Sequence, residues 1–281
     1  MKTLRKVFVV IMALVFSTGM SAADFVVSGI SYNVTSHKKG EVEVAWSNYT
    51  GDVVIPATVK HKGRVYKVTT IGEEAFKECK GLTSVDLGEI KIIGESAFEE
   101  CSSLTSVDFK NVINIGEYAF KDCRSLTDID LNNTVYISTG AFEDCTGLTS
   151  VDFKNVRVIY SKAFEECTAL KSIDLANVQI IGDEAFSDCK GLTSVDFKNV
   201  SDVGEEAFGD CSGLKSIDLG KVEIIEKGAF EDCTALSSVN LRNVKTIRDF
   251  AFKNCTALTS IDTSKVKQIK NTAFEGCIRL K

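Results

Sequence analysis

Ten cysteines, from Cys79 to Cys277, fall 22 residues apart along the chain. A closed globular core gives every position different neighbours, whereas a strict period gives the same position the same surroundings again and again. Such a chain stacks one small unit on the next. The unit is legible at 141–155, AFEDCTGLTSVDFKN: Ala-Phe-x-x-Cys, then Leu three residues on, Val or Ile three later, Asp, and Leu or Phe. A slower rhythm overlies it, because SVDFKNV recurs at 106–112, 150–156 and 194–200, every second unit.

Within the unit, Val151 and Phe153 alternate with Ser150 and Asp152. Alternation predicts a short strand with Val151 and Phe153 inward and the polar pair outward, one strand per turn in a parallel sheet. The Ala-Phe-x-x-Cys half has spacings of one and three, which predict a brief helical or 3₁₀ turn. The glycine of the Ile-Gly pair occupies Gly72, Gly94, Gly116, Gly182 and Gly204, but Ser138, Tyr160, Glu226, Arg248 and Lys270 fill the same slot. That slot therefore needs no left-handed backbone.

Units written Leu-x-x-Val-x-Ile…Ile-Gly-x-x-Ala-Phe-x-x-Cys with a 22-residue period resemble the BspA-type leucine-rich repeat family of surface proteins. The resemblance covers Ile71 to Leu280, and the β-rich lead-in at 51–76 is similar too. It implies a repeat solenoid: a right-handed α/β-type coil, parallel strands on one face and short helical or 3₁₀ turns on the other, preceded by a small β cap. It also implies adhesion to host proteins or to other cells as the kind of function some members have. One departure is the strand exit, where such proteins often carry proline and this chain has Gly88, Lys110, Asn132, Lys154, Ala176, Lys198, Gly220, Arg242 and Ser264.

Three segments follow. Residues 1–23 carry Lys2, Arg5 and Lys6, an apolar run from Val7 to Phe16 and the small residues Ser21, Ala22 and Ala23, the pattern of a secretory signal peptide cut after Ala23 or Ala22. Residues 24–67, with short β-rich runs, are the cap that covers the first repeat, and Trp46 and Pro56 are assigned to its packing. Residues 68–281 are the array. The apolar run of the leader is too short to span a bilayer, so no transmembrane span remains after its removal. The expected location is exported: extracellular, cell-surface or periplasmic.

The formal net charge of −6 becomes more negative once the basic leader is gone, which disfavours nucleic acid and anionic membranes as partners. No catalytic residue stands out, since His37 and His61 both lie outside the repeats. No CxxC pair or DxDxDG-type loop points to a metal or other cofactor. An even number of cysteines in an exported chain also fits a disulfide framework. Separation of stacked helical turns by about 8–10 Å, beyond the roughly 7 Å that a disulfide bridges, favours free thiols.

The candidate site is the outward strand face, where Asp86, Asp108, Asp130, Asp152, Asp174, Asp196, Asp218 and Asp262 form one row, joined by Asn240. Lys110, Lys154, Lys198 and Arg242 follow two residues later and could relieve the repulsion within it. The row reads either as a solvated face or as an acidic groove for a basic segment of another protein, with calcium a further option. A second candidate patch is Tyr118, Tyr136 and Tyr160, in consecutive units. Two functions stay open. One is a secreted or surface module that binds an extracellular-matrix protein, a plasma protein or another cell surface. The other is a structural spacer of the envelope without a high-affinity ligand.

Overall fold

The computed structural model describes residues 22–281, so the leader read over 1–23 lies outside the described residues except for Ala22 and Ala23. The strands that open the fold are β1 (Phe25–Val27), β2 (Ile30–Ser36), β3 (Glu41–Val44), β4 (Thr50–Val54), β5 (Thr58–His61), β6 (Arg64–Ile71) and β7 (Gly81–Asp86). β1, β2 and β3 pair antiparallel, and β5 folds back antiparallel on β6. β3 pairs parallel with β6, and β4 pairs parallel with β7. The opening segment thereby supplies a first strand to each of two parallel ladders.

Each later turn adds two short strands, except the last, which adds only Gln268–Ile269. The Ser-x-Asp strands build the first ladder, with Ile129 opposite Val151 and Asp130 opposite Asp152. The Ile-rich strands build the second, with Ile159 opposite Ile181. Partners one period apart are what a solenoid requires, and their inward side chains fall in rows.

The face expected to carry short helical or 3₁₀ turns forms no helix among the described residues. It consists of turns, because every second N–H is drawn to the next unit: Phe142 donates to Ala163 O and Asp144 to Glu165 O, both at 2.9 Å. A helix would keep those bonds within the turn. The N–H groups between them close turns three residues back, Glu143 to Gly140 O and Cys145 to Phe142 O, at 3.1 and 3.3 Å. The chain closes the corner by placing the residue before each cysteine in the left-handed region, Glu78, Glu100, Asp122, Asp144, Glu166, Asp188, Asp210, Asp232 and Asn254 at φ of 56 to 60°. Acidic residues and Asn hold this strained conformation because the inter-turn bonds on either side fix it. The Ile-Gly glycines are not left-handed, but a Cβ on Gly94 would lie 2.7 Å from Glu73 N and 2.8 Å from Gly72 C. Glycine there marks close approach of two turns.

The core is a bundle of rows. From Phe76 to Phe274 the rings stack at centroid separations of 4.7–5.7 Å. Tyr49 begins the stack, 4.4 Å from Phe76, with its hydroxyl donating to Ala45 O. Trp46, assigned to packing from sequence, is instead 49% exposed; Tyr49 is the aromatic residue that joins the opening strands to the array.

All ten thiols are free and buried. Distance between turns is not what keeps them free, since the turns are hydrogen-bonded neighbours and not separate helices. Orientation keeps the sulfurs apart: each Sγ donates backward to the carbonyl of the preceding unit's Phe, as Cys145 to Phe120 O at 3.2 Å and Cys167 to Phe142 O at 3.3 Å. Cys79 uses Ser47 O in the same way.

The two-unit rhythm is a packing rule. Phe109 stands edge-on to Phe120 and Phe142, Phe153 to Phe164 and Phe186, and Phe197 to Phe208 and Phe230. One inserted ring serves two rungs of the stack. The units that carry it have Val before Asp, and the alternate units from Ile129 to Leu219 carry the smaller Leu after Asp with the larger Ile before it. Volume is thus conserved turn by turn from Val107 to Leu219.

Candidate functional site

The strand alternation leaves Asp86, Asp108, Asp130, Asp152, Asp174, Asp196, Asp218 and Asp262 exposed in one row. Each carboxylate also has an architectural task. Its Oδ1 accepts the backbone N–H two residues on, from Gly88, Lys110, Asn132, Lys154, Ala176, Lys198, Gly220 and Ser264, at 2.9–3.1 Å. This Asx turn ends the strand without proline. Asn240 makes the same bond to Arg242 N at 3.1 Å, which accounts for Asn in an otherwise acidic row. At Asp130, Asn132 Nδ2 also donates to Oδ2 at 2.7 Å, and at Asp262 the Ser264 side chain and backbone N–H together hold the carboxyl below its ordinary value.

Lys110, Lys154, Lys198 and Arg242 therefore meet the row through their backbone N–H. Among the described residues none of the four pairs its side-chain cation with it. Beyond the turn a second row locks the units together: Asn111, Asn155 and Asn177 donate to the carbonyls of Gly88, Asn132 and Lys154 in the preceding unit.

Two carboxylates of this face went unread in the sequence. Asp128 stands where other units carry Ser, and its Oδ1 accepts from Ser150 Oγ. That bond, with help from Thr127, holds its carboxyl below the ordinary value. Asp52 of β4 extends the face, accepting from Ser84 at 2.6 Å and Thr83 at 2.8 Å, and is lowered for the same reason. The signal for Asp128 was a single departure, TDID where neighbouring units read TSVD or KSID.

Around Asp128 the first ladder is interrupted, between Ser106–Val107 and Asp128–Asp130 and again between Ser150–Asp152 and Ser172–Asp174. A groove of about 620 Å³ lies there, lined by Asp128, Asp130, Asp152, Asp174, Lys154, Val107 and Val151 among others. Four carboxylates with one ammonium and a strip of valine suit a cationic, partly apolar ligand.

The tyrosines do not form one patch. Tyr118 lies on the turn face, its ring against Gly140, where a Cβ would come within 2.4 Å, and with Lys121 Nζ 5.8 Å from the ring centroid. Tyr136, 45% exposed, and half-buried Tyr160 sit on consecutive turns of the second ladder. Burial, and secondarily Tyr136, pushes the Tyr160 phenol up.

The turn face carries an acidic row of its own, the left-handed residues before each cysteine. There the carboxylates feel one another: Asp144 is the main cause raising Glu166, and Asp210 is raised by burial and then by Asp188 and Asp232. No helix among the described residues is long and apolar enough to cross a membrane.

Parallel strands, one inward Leu row and a 22-residue turn define a leucine-rich repeat solenoid. The model of the BspA type leucine rich repeat region matches residues 65–171 and 157–281 in six copies, and the chain belongs to that family. Among solved structures it is similar to a leucine rich cell surface protein from Faecalibacterium prausnitzii, 24% identical over 92% of this chain and 87% of that one, TM-score 0.55. It is also similar to the pneumococcal vaccine antigen PcpA, 19% identical over 93% and 81%, TM-score 0.62. A leucine-rich repeat protein from Bacteroides ovatus is 26% identical over 92% and 93%, TM-score 0.48. A comparison with curated proteins gave no significant match.

Proposed function

We propose that this chain is an exported, non-enzymatic adhesin-like module that binds a basic, extended segment of another protein across the first ladder, centred on Asp128, Asp130 and Asp152. The observation that carries the reading is the coincidence of the extra carboxylate Asp128 with the interruption of the ladder and the groove beside it. Membership of a family with a cell-surface relative supports exposure to such partners. The spacer reading is favoured by the Asx turns, since they explain the regular Asp row without a ligand. They do not explain Asp128.

The test is binding of residues 24–281 to a panel of extracellular-matrix and plasma proteins and to a Lys/Arg-rich peptide, at low and high salt. Asp128, Asp130 and Asp152 are changed together to Asn, because Asn preserves the turn, as Asn240 shows. Saturable binding that falls at least tenfold in the triple variant and weakens with salt is expected. Binding unaffected by the variant would place the partner elsewhere, and no binding by a folded chain would favour the spacer.

A further inference from the structure

In the opening sheet, Glu43 of β3 is 8% exposed and its Oε2 has no hydrogen-bond partner. An unpaired buried carboxylate is costly, and such groups are ordinarily given a cation or a proton. Burial pushes the Glu43 carboxyl up, Glu73 adds to the rise, and the facing Asn33 side chain pulls it back. Asn33 is the residue opposite Glu43 across β2 and β3. On its other side, Asn33 Oδ1 accepts the backbone N–H of Asp24 at 3.3 Å. Asp24 is held in place, since its own Oδ2 accepts from Val34 N at 2.8 Å just before β1 begins at Phe25.

Asp24 is also the residue that follows Ala23. A leader peptidase reads small residues one and three positions before its cut. Cleavage after Ala23 presents Ala23 and Ser21 to it, whereas cleavage after Ala22 presents Ala22 and the bulkier Met20. Hydrolysis adds water across the peptide bond: Ala23 leaves with a carboxylate, and the Asp24 nitrogen becomes an amine that takes up a proton at neutral pH.

We propose that processing cuts between Ala23 and Asp24, and that the ammonium created there is the missing counter-charge of Glu43, relayed through Asn33 to fasten β1 onto β2 and β3. Removal of the leader then completes the opening sheet as well as releasing the chain. The proposal is independent of what the first ladder binds.

The chain is expressed with its leader, exported, and its intact mass measured; a mature chain beginning at Asp24 is expected, and any other start overturns the assigned cut. Thermal unfolding is then compared for the chain with a free and with an acetylated Asp24 amine. Acetylation is expected to lower Tm by about 1–3 °C, the scale of a fraction of a kcal/mol in a chain this size. In Glu43→Gln, and separately in Asn33→Ala, the two forms should melt together. An equal effect of acetylation in all three backgrounds, or none in the native one, overturns the relay.

Discussion

Cysteine recurs because it does two things at one residue. It fills a small apolar slot in the turn, and its S–H satisfies the carbonyl of the preceding Phe, which already accepts the N–H of its own unit's cysteine. Alanine would leave a void there and valine would supply no donor. Burial raises these thiols above the ordinary 9.0, among them Cys123, Cys145, Cys167, Cys189, Cys211 and Cys255. The folded thiols hold their protons when unfolded ones would lose them. Their contribution is therefore fully present below pH 9 and is lost as pH rises beyond it. Denaturant unfolding between pH 7 and 10 should show stability falling from about pH 9, and the fall should be shallower with Cys145, Cys167 and Cys189 changed to Ala. A flat profile would mean that the thiols ionise alike in both states.

At the scale of the element, the strand ends because a carboxylate ends it. Asp196→Asn should leave stability within about 0.5 kcal/mol, as an Asn can make the same Asx turn, whereas Asp196→Ala should cost roughly 1 kcal/mol for the lost bond to Lys198 N. Urea midpoints of the two variants check this, and equal midpoints would remove the turn from the account. The strand itself was legible from Ser150, Val151, Asp152 and Phe153, since alternation is a property of the segment alone. The Asx turn was not, because an exposed Asp looks the same in sequence whether or not a backbone N–H folds back on it. The turns before each cysteine, expected as helical or 3₁₀, do not run into helices for a related reason: Phe142 and Asp144 send their N–H groups to another unit, and that partner is set by stacking. Asp128 was overlooked because one changed letter carries meaning only beside the interruption of the ladder.

At the scale of the whole molecule, a solenoid's stability is a sum over neighbouring turns, so a flaw in one pair is felt locally. The inserted ring comes every second unit at Phe109, Phe153 and Phe197, and the next place in that sequence is Leu241. Its unit carries the Val that accompanies Phe109, Phe153 and Phe197, so both residues before the Phe252–Phe274 step are the smaller choice, and Val239, like Val107, Val151 and Val195, is only partly buried. Beyond it Ile261, Val266 and Phe274 are likewise only partly buried. These turns should open first, independently of the turns from Phe98 to Phe208. Hydrogen exchange read by mass spectrometry should show protection in 245–281 lower than in 98–208. Leu241→Phe, by placing an edge-on ring against Phe252 and Phe274 as Phe197 does against Phe208 and Phe230, should slow exchange in 245–281 by roughly fivefold, the equivalent of about 1 kcal/mol of added burial. Exchange left unchanged or accelerated would show that the slot has already closed around leucine, and that the two-unit rule stops at Phe197.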